Sequence, residues 1–330
     1  MNTLDAFGQY DSALNLDPGE RLRAQEFHNE LTAALKFDGL ISTAFLQGSF
    51  ARKTMLKPLR DIDKVVILHG DFSHLQWQPS GAQIVATLIE TALCRHYPNA
   101  HLSRNRHSIQ LDLGEDTFSF DVVPAFEADD GTDDVMIMDL GHDGLSSSWK
   151  RSNTRCLIEV VRERNELCEG SFVHQVRFVK HWIRTQHDGV IPGLHVEAIA
   201  FECITEHLDD EMAVERILVC GARLLGPVFE YCDPTGVDYL SKKLDPAARE
   251  IACRAFVEAA SIANNAVRHA QQGHFDKANT LWYSIFGNPF PRPGDSEKSY
   301  LRSLAVGAPV STGISFGPQV TRPVRAWRPT

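Results

Sequence analysis

Residues Gln47 to Leu68 read Q-G-S-F-A-R-K-T-M-L-K-P-L-R-D-I-D-K-V-V-I-L: a Gly-Ser turn, a short polar helix, then a strand that opens on two aspartates. Side chains alternate across a strand, so Asp61 and Asp63 project from one face. Two carboxylates side by side repel each other, and hard divalent cations shared between them remove that repulsion. Gly48 lets the backbone approach a phosphate closely. The Ser49 hydroxyl and the start of the following helix donate hydrogen bonds to phosphate oxygens.

A third carboxylate would complete a two-metal site. The stretch Thr117 to Val123 alternates, with Phe118, Phe120 and Val122 on the core side, and is expected to end at Pro124. Asp121 faces the other way and is the candidate. Metals held there would lower the pKa of an attacking hydroxyl and neutralise charge on a transferring phosphoryl group. A Gly-Ser turn or an Asp-x-Asp alone is weak. Their order, followed by an aspartate in a later strand ending in Val-Pro, is what carries the signal.

Around this stretch the first half alternates helix and strand. Asp17 to Phe37 and Ala82 to Tyr97 have apolar residues at helical spacing, and Ser108 to Leu113 alternates as a strand. From about Arg155 the pattern is helical: Phe172 to Thr185, His195 to Leu208, Glu211 to Leu225, Pro246 to Gln272 and His274 to Phe286. No repeat of solenoid length recurs. The last 44 residues contain 12 Gly or Pro, against 26 in the preceding 286, and carry six Lys or Arg against two acidic residues. The expected organisation is a core over 1–160, a helical domain over 161–290 and a flexible basic Gly/Pro-rich tail over 291–330. The tail reads as a solvated extension or as a docking peptide.

With 330 residues, 43% apolar and 23% charged, the chain buries a substantial core and is not disordered throughout. No apolar run nears the roughly 20 residues a membrane helix needs. Met1 to Asp17 carries Asp5 and Asp11 and lacks a secretory pattern, so the expectation is a cytoplasmic protein. Seven scattered cysteines form no C-x-x-C pair, and most are expected to be buried reduced thiols in helices; no structural zinc is expected. A formal charge of -10 disfavours a broad surface for duplex DNA. It leaves room for a pocket that binds mononucleotides.

The metal-site pattern resembles the nucleotidyltransferase superfamily with the polymerase-beta-type core, and within it the bacterial cGAS/DncV-like nucleotidyltransferases. W-K-R-S-N-T-R at Trp149 to Arg155, F-V-K-H-W-I-R at Phe178 to Arg184, G-L-H-V-E-A-I at Gly193 to Ile199, D-P-T-G-V-D at Asp233 to Asp238 and F-G-N-P-F-P at Phe286 to Pro291 look like family landmarks in order. The resemblance implies an α+β fold: a small mixed sheet with helices, a helical second domain, and a cleft between two lobes. It implies an enzyme that joins nucleoside triphosphates, ATP among them, into a cyclic di- or trinucleotide signal of antiviral defence. Asp61 and Asp63 would bind two magnesium ions, with manganese able to substitute, and Asp121 would hold the catalytic one near the attacking ribose hydroxyl. Gln47, Gly48, Ser49, Lys180 and His195 would bind nucleotide, Lys180 reaching the outer phosphates as a point charge. Gly193 and Leu194 stand where relatives often carry Ser and an aromatic residue.

Plainer roles compete with several of these. His195 also reads as a satisfied core or rim histidine, Lys180 as a solvated helix lysine, and Trp149, Trp182 and Trp282 as packing residues. Arg104, Arg106 and His107 read either as an acceptor-side lining or as a charged loop. A regulatory or conjugating protein acting on the tail is expected. Two other readings share the core: addition of single nucleotides to RNA, a small molecule or a protein, and an inert nucleotide or nucleic-acid sensor.

Overall fold

In the computed structural model, which describes residues 1–114, 118–141 and 147–292, the chain forms two units. One is Leu16–Arg162; the other joins Met1–Asn15 to the residues from Glu163 onward. In chain order the elements are α1 (Thr3–Leu14), α2 (Pro18–Phe37), β1 (Ile41–Leu46), α3 (Gly48–Ala51), β2 (Asp61–Leu68), α4 (Gly81–His96), β3 (His101–Arg104), β4 (Ile109–Asp112), β5 (Ser119–Glu127), β6 (Val135–Asp139) and β7 (Ser148–Ser152). The helices α5 (Thr154–Leu167), α6 (Phe172–Gln186), α7 (Gly193–Cys203), α8 (Asp210–Leu224), α9 (Pro246–Gln271) and α10 (Phe275–Phe286) follow. The mixed α+β architecture is the one expected. Among the described residues no helix is long and apolar enough to cross a membrane.

The Leu16–Arg162 unit is built on a sheet ordered β1-β2-β5-β4-β3, with β6 on β5 and β7 on β6. Helix α2 starts cleanly because Asp17 accepts from Gly19 N at 2.7 Å while Glu20 accepts from Asp17 N at 3.2 Å, with Pro18 in the first turn. One sheet face, bearing Ile62, Val66, Phe120 and Val122, packs with Leu31, Leu35, Val85 and Ile89 of α2 and α4 in the main core. The other face carries Val65, Ile67, Val123, Ala125 and Val135, a smaller apolar cluster. Asp61, Asp63 and Asp121 share that second face by strand parity.

Strand β5 does not stop at Pro124. It pairs with β4 as far as Val122 and with β6 from Ala125, so the proline falls at the break between two ladders, where a missing donor is tolerated. The helix expected over His195 to Leu208 ends at Cys203 instead.

In the other unit, α1 packs with the helices that follow Glu163, although its sequence position places it ahead of the core. Phe7 and Tyr10 are the cause: Phe7 lies edge-on to Phe178, Trp282 and Phe290, and Tyr10 stacks on Phe178 with centroids 5.1 Å apart. The Tyr10 hydroxyl meets His181 Nδ1 at 2.8 Å, and Asp11 accepts from Arg177 at 2.8 Å and lies 2.6 Å from His174 Nδ1. Trp182 and Trp282 are buried, the packing role expected of them, and Trp149 in the core unit packs against Phe126 at 4.6 Å. The cysteines depart from expectation. Cys203 of α7 and Cys220 of α8 form a disulfide, and of the five free thiols Cys168 is buried while Cys94 and Cys156 are exposed. Residues 293–330, nearly all of the expected tail, lie outside the described residues.

Candidate active site

Strands β2 and β5 run parallel in a register that sets Asp63 opposite Asp121 and Asp61 opposite Ser119. Neighbouring strands lie about 4.8 Å apart, so the three carboxylates cluster at one end of one sheet face. Leu46 of β1 pairs with Lys64, and the Gln47 amide donates to the Asp63 carbonyl at 2.8 Å, which brings the Gly-Ser turn over Asp63. Gln47, Gly48, Ser49, Asp61, Asp63 and Asp121 are therefore brought together.

Gly48 has φ +68, and a Cβ on it would fall 1.8 Å from Asp63 Oδ2. Only a glycine allows this backbone to lie against that carboxylate. Helix α3 is a single turn, closed by Thr54 N donating to Ser49 O at 2.9 Å, so whatever it offers a phosphate comes from individual amides and the Ser49 hydroxyl, not from a long helix dipole.

The carboxylates feel one another. Burial first, then the charge of Asp121 and, more weakly, Asp61, push Asp63 up to about 6, against the opposing charge of Arg52. Asp121 is also raised, by burial and by Asp61, while hydrogen bonds from Ser108 and Asn105 pull it back. Negative charge is concentrated beyond what the nearby guanidinium neutralises.

Several residues at this site carry no motif. Ser119 Oγ donates to Asp61 Oδ1 at 2.5 Å, and Ser108 Oγ and Asn105 Nδ2 donate to Asp121 Oδ1 at 3.1 and 3.4 Å. Lys64, 0% exposed, points to the opposite sheet face, where its Nζ meets His28 O at 2.6 Å, Thr32 Oγ1 at 2.5 Å and His28 Nδ1 at 3.1 Å. Burial holds its ammonium down at about 7. It ties α2 to the strand position that follows Asp63. The signal for it lay in strand parity: position 64 shares a face with Ile62 and Val66.

Lys180 and His195 belong to the helical unit. Lys180 Nζ lies 3.0 Å from Glu197 Oε1, and its side chain passes Gly193 so closely that a Cβ there would fall 2.8 Å from Lys180 Cε. His195 is 6% exposed, its Nδ1 2.8 Å from the Tyr231 hydroxyl, and burial lowers its pKa. Arg104, Arg106 and His107 hold the loop to its surroundings: Arg104 bonds Glu90, Arg106 forms a two-pronged pair with Asp139, and His107 lies 2.9 Å from Met138 O.

The model of the Second Messenger Oligonucleotide or Dinucleotide Synthetase domain matches residues 1–165, half of the chain. The chain belongs to this family. It is a nucleotidyltransferase of the cGAS/DncV-like group, whose members include cyclic nucleotide synthases. A protein of Bacillus cereus described as a probable cyclic nucleotide synthase is 22% identical over 284 residues, 75% of this chain and 82% of its own. A cyclic AMP-AMP-AMP synthase of an Acinetobacter species is 24% identical over 319 residues, 88% of this chain and 86% of its own. Among solved structures, Escherichia coli CdnC with ATP superposes with a TM-score of 0.67 at 16% identity, covering 87% of this chain and 98% of CdnC. CdnC bound to a HORMA protein gives 0.68 at 17% identity, with the same coverage of both chains.

Enzymes of this family are generally metal-dependent. The donor set of this synthetase domain fits a hard cation: three carboxylates converge on one end of a sheet face, with Asp63 pushed up to about 6 by burial and then by the charge of Asp121 and Asp61. Among the described residues no three such side chains close into a cage. Magnesium does not require one, being held ordinarily by one or two carboxylates together with substrate phosphates and water.

Proposed function

We propose that this chain joins nucleoside triphosphates, ATP among them, into a cyclic di- or trinucleotide messenger. The observation that carries the reading is the register placing Asp63 beside Asp121 and beneath the Gly48 backbone. Bound by Asp61, Asp63 and Asp121, two magnesium ions would supply charge neutralisation at the α-phosphate and acidity at the attacking hydroxyl.

The chain's own residues do the rest. The Gly48 turn admits the triphosphate close to the main chain, and Ser49 donates to its oxygens. As it attacks, the ribose hydroxyl gives up its proton to Asp121. A ribose oxygen to α-phosphorus bond forms, the bond from that phosphorus to the bridging oxygen breaks, and pyrophosphate leaves with the electron pair. One more such step on the linear product closes a ring. A regulatory or conjugating protein partner belongs to the same reading, supported by the HORMA complex of CdnC.

The test is incubation of purified protein with magnesium and all four labelled triphosphates, followed by phosphatase, beside the Asp61→Asn, Asp63→Asn double variant. A phosphatase-resistant product absent from the variant supports the reading. Undiminished product from the variant, or only adducts on an added acceptor, overturns it.

A further inference from the structure

Each of two carboxylates in the candidate site has one oxygen engaged by a serine hydroxyl from a different strand or loop. Ser119 stands directly across the β2–β5 ladder from Asp61, and its Oγ donates to Asp61 Oδ1 at 2.5 Å. Ser108 closes the turn between β3 and β4, its carbonyl accepting from Asn105 N at 2.9 Å, and its Oγ donates to Asp121 Oδ1 at 3.1 Å. The same turn brings Asn105 Nδ2 to that oxygen at 3.4 Å. Asp63 is set by other means, its carboxylate lying against the Cα of Gly48.

A carboxylate on a short aspartate side chain rotates broadly about its last torsion, and the two oxygens exchange places unless something distinguishes them. A hydroxyl donating to one named oxygen removes that freedom, because a charge-assisted hydrogen bond is both stronger and more directional than a neutral one. Once Oδ1 is fixed, the direction in which Oδ2 presents its lone pairs follows from planarity. We propose that Ser119 and Ser108 are positioning residues for metal coordination, each locking the rotation of one carboxylate so that its second oxygen is presented to a divalent cation.

This inference rests on the metal-dependent reading of the site and extends it to two residues outside the Gly-Ser, Asp-x-Asp and Asp pattern. Partners that orient a ligating group without touching the metal matter for affinity, and removing one typically weakens binding or activity by about 10–100-fold. A role confined to fold stability predicts something different. Under that role Ser→Ala at either position would lower the melting temperature and leave cation affinity at the wild-type value.

The readout is Mn2+ binding to the full-length protein, followed by the paramagnetic resonance signal of the free ion, with no turnover required. Wild type, Ser119→Ala, Ser119→Thr, Ser108→Ala and the Asp61→Asn, Asp63→Asn double variant are compared, each with its melting temperature. The expected result is a loss of Mn2+ affinity of about tenfold or more in Ser119→Ala, with most of it restored by Ser119→Thr, which keeps the hydroxyl, and melting temperatures close to wild type. Ser108→Ala should behave alike; should it fail to fold, the Ser119 pair still decides the matter. Affinity within twofold of wild type in Ser119→Ala, while the double aspartate variant loses binding, overturns this inference and leaves the proposed function standing. Binding unaffected by the double aspartate variant overturns both.

Discussion

Replacing Gly48 with alanine probes the site through its backbone. The added Cβ would fall 1.8 Å from Asp63 Oδ2 and 2.7 Å from its Cγ, where ordinary contact requires roughly 3.5 Å. The carboxylate must therefore retreat by well over an ångström, and a misplacement of about 1 Å in a catalytic constellation can cost on the order of 100-fold in rate. The left-handed backbone at φ +68 adds a conformational cost of about 1–2 kcal/mol for any residue with a Cβ. In a chain of this size that lowers the melting temperature by only a few degrees, roughly 2–4 °C per kcal/mol. Gly39 supplies the control. It has φ +71 with nothing within 4 Å of the added Cβ, so Gly39→Ala carries the backbone cost alone. Initial rates of pyrophosphate release at saturating triphosphate, with thermal melts of both variants, separate the two effects. The expected outcome is similar melting temperatures with Gly48→Ala at least about 100-fold slower than Gly39→Ala. Rates within threefold of each other would refute the close approach of the Gly48 main chain to Asp63 as a requirement of the chemistry.

Three further outcomes follow from the helical unit. Burial pushes Asp11 up, but the hydrogen bond and charge of His174, with Arg177, hold it at about 2 against a usual 3.8. A depressed carboxyl stabilises the fold above its unfolded pKa and loses that contribution as pH falls, so Asp11→Asn should be less stable by about 2 kcal/mol near pH 6, the gap closing between about pH 4 and pH 2 in urea melts; a gap independent of pH would refute the assignment. Phe7→Ala empties the centre of an aromatic cluster and should cost about 3–5 kcal/mol, with amide exchange accelerated in α6 and α10; unchanged exchange there would show that α1 does not anchor them. The Cys203–Cys220 bond leaves five free thiols of seven, so protein denatured without reductant should titrate five, rising to seven after reduction, and seven in both cases would remove the crosslink.

What was legible in the sequence followed local rules. Alternation put Asp61 and Asp63 on one face and Asp121 opposite Phe120, and the order of turn, strand and later strand pointed to the fold and the family. Ser119 and Ser108 were not legible, because a serine in an alternating strand carries no signal until pairing register shows which carboxylate it faces. Pro124 misled for a related reason: its effect depends on where the β4 ladder ends and the β6 ladder begins. Lys64 was half legible, since parity assigned it inward while its charge argued for solvent, and the acceptors on α2 that settle the conflict come from His28 and Thr32, more than thirty residues earlier. Helix α1 was missed because the residues that hold it, Phe178, His181 and Trp282, come more than 160 positions later in the chain.

That last arrangement bears on how the protein is made. The Leu16–Arg162 unit is continuous and can close as soon as it leaves the ribosome, whereas α1 emerges before it and has nothing to bury Phe7 and Tyr10 against until α6 and α10 follow. At roughly 5–20 residues per second that interval is on the order of tens of seconds. During it an apolar helix is exposed ahead of a finished core. The order of synthesis thus leaves the apolar face of α1 open to chaperones for longer than the strands that follow it.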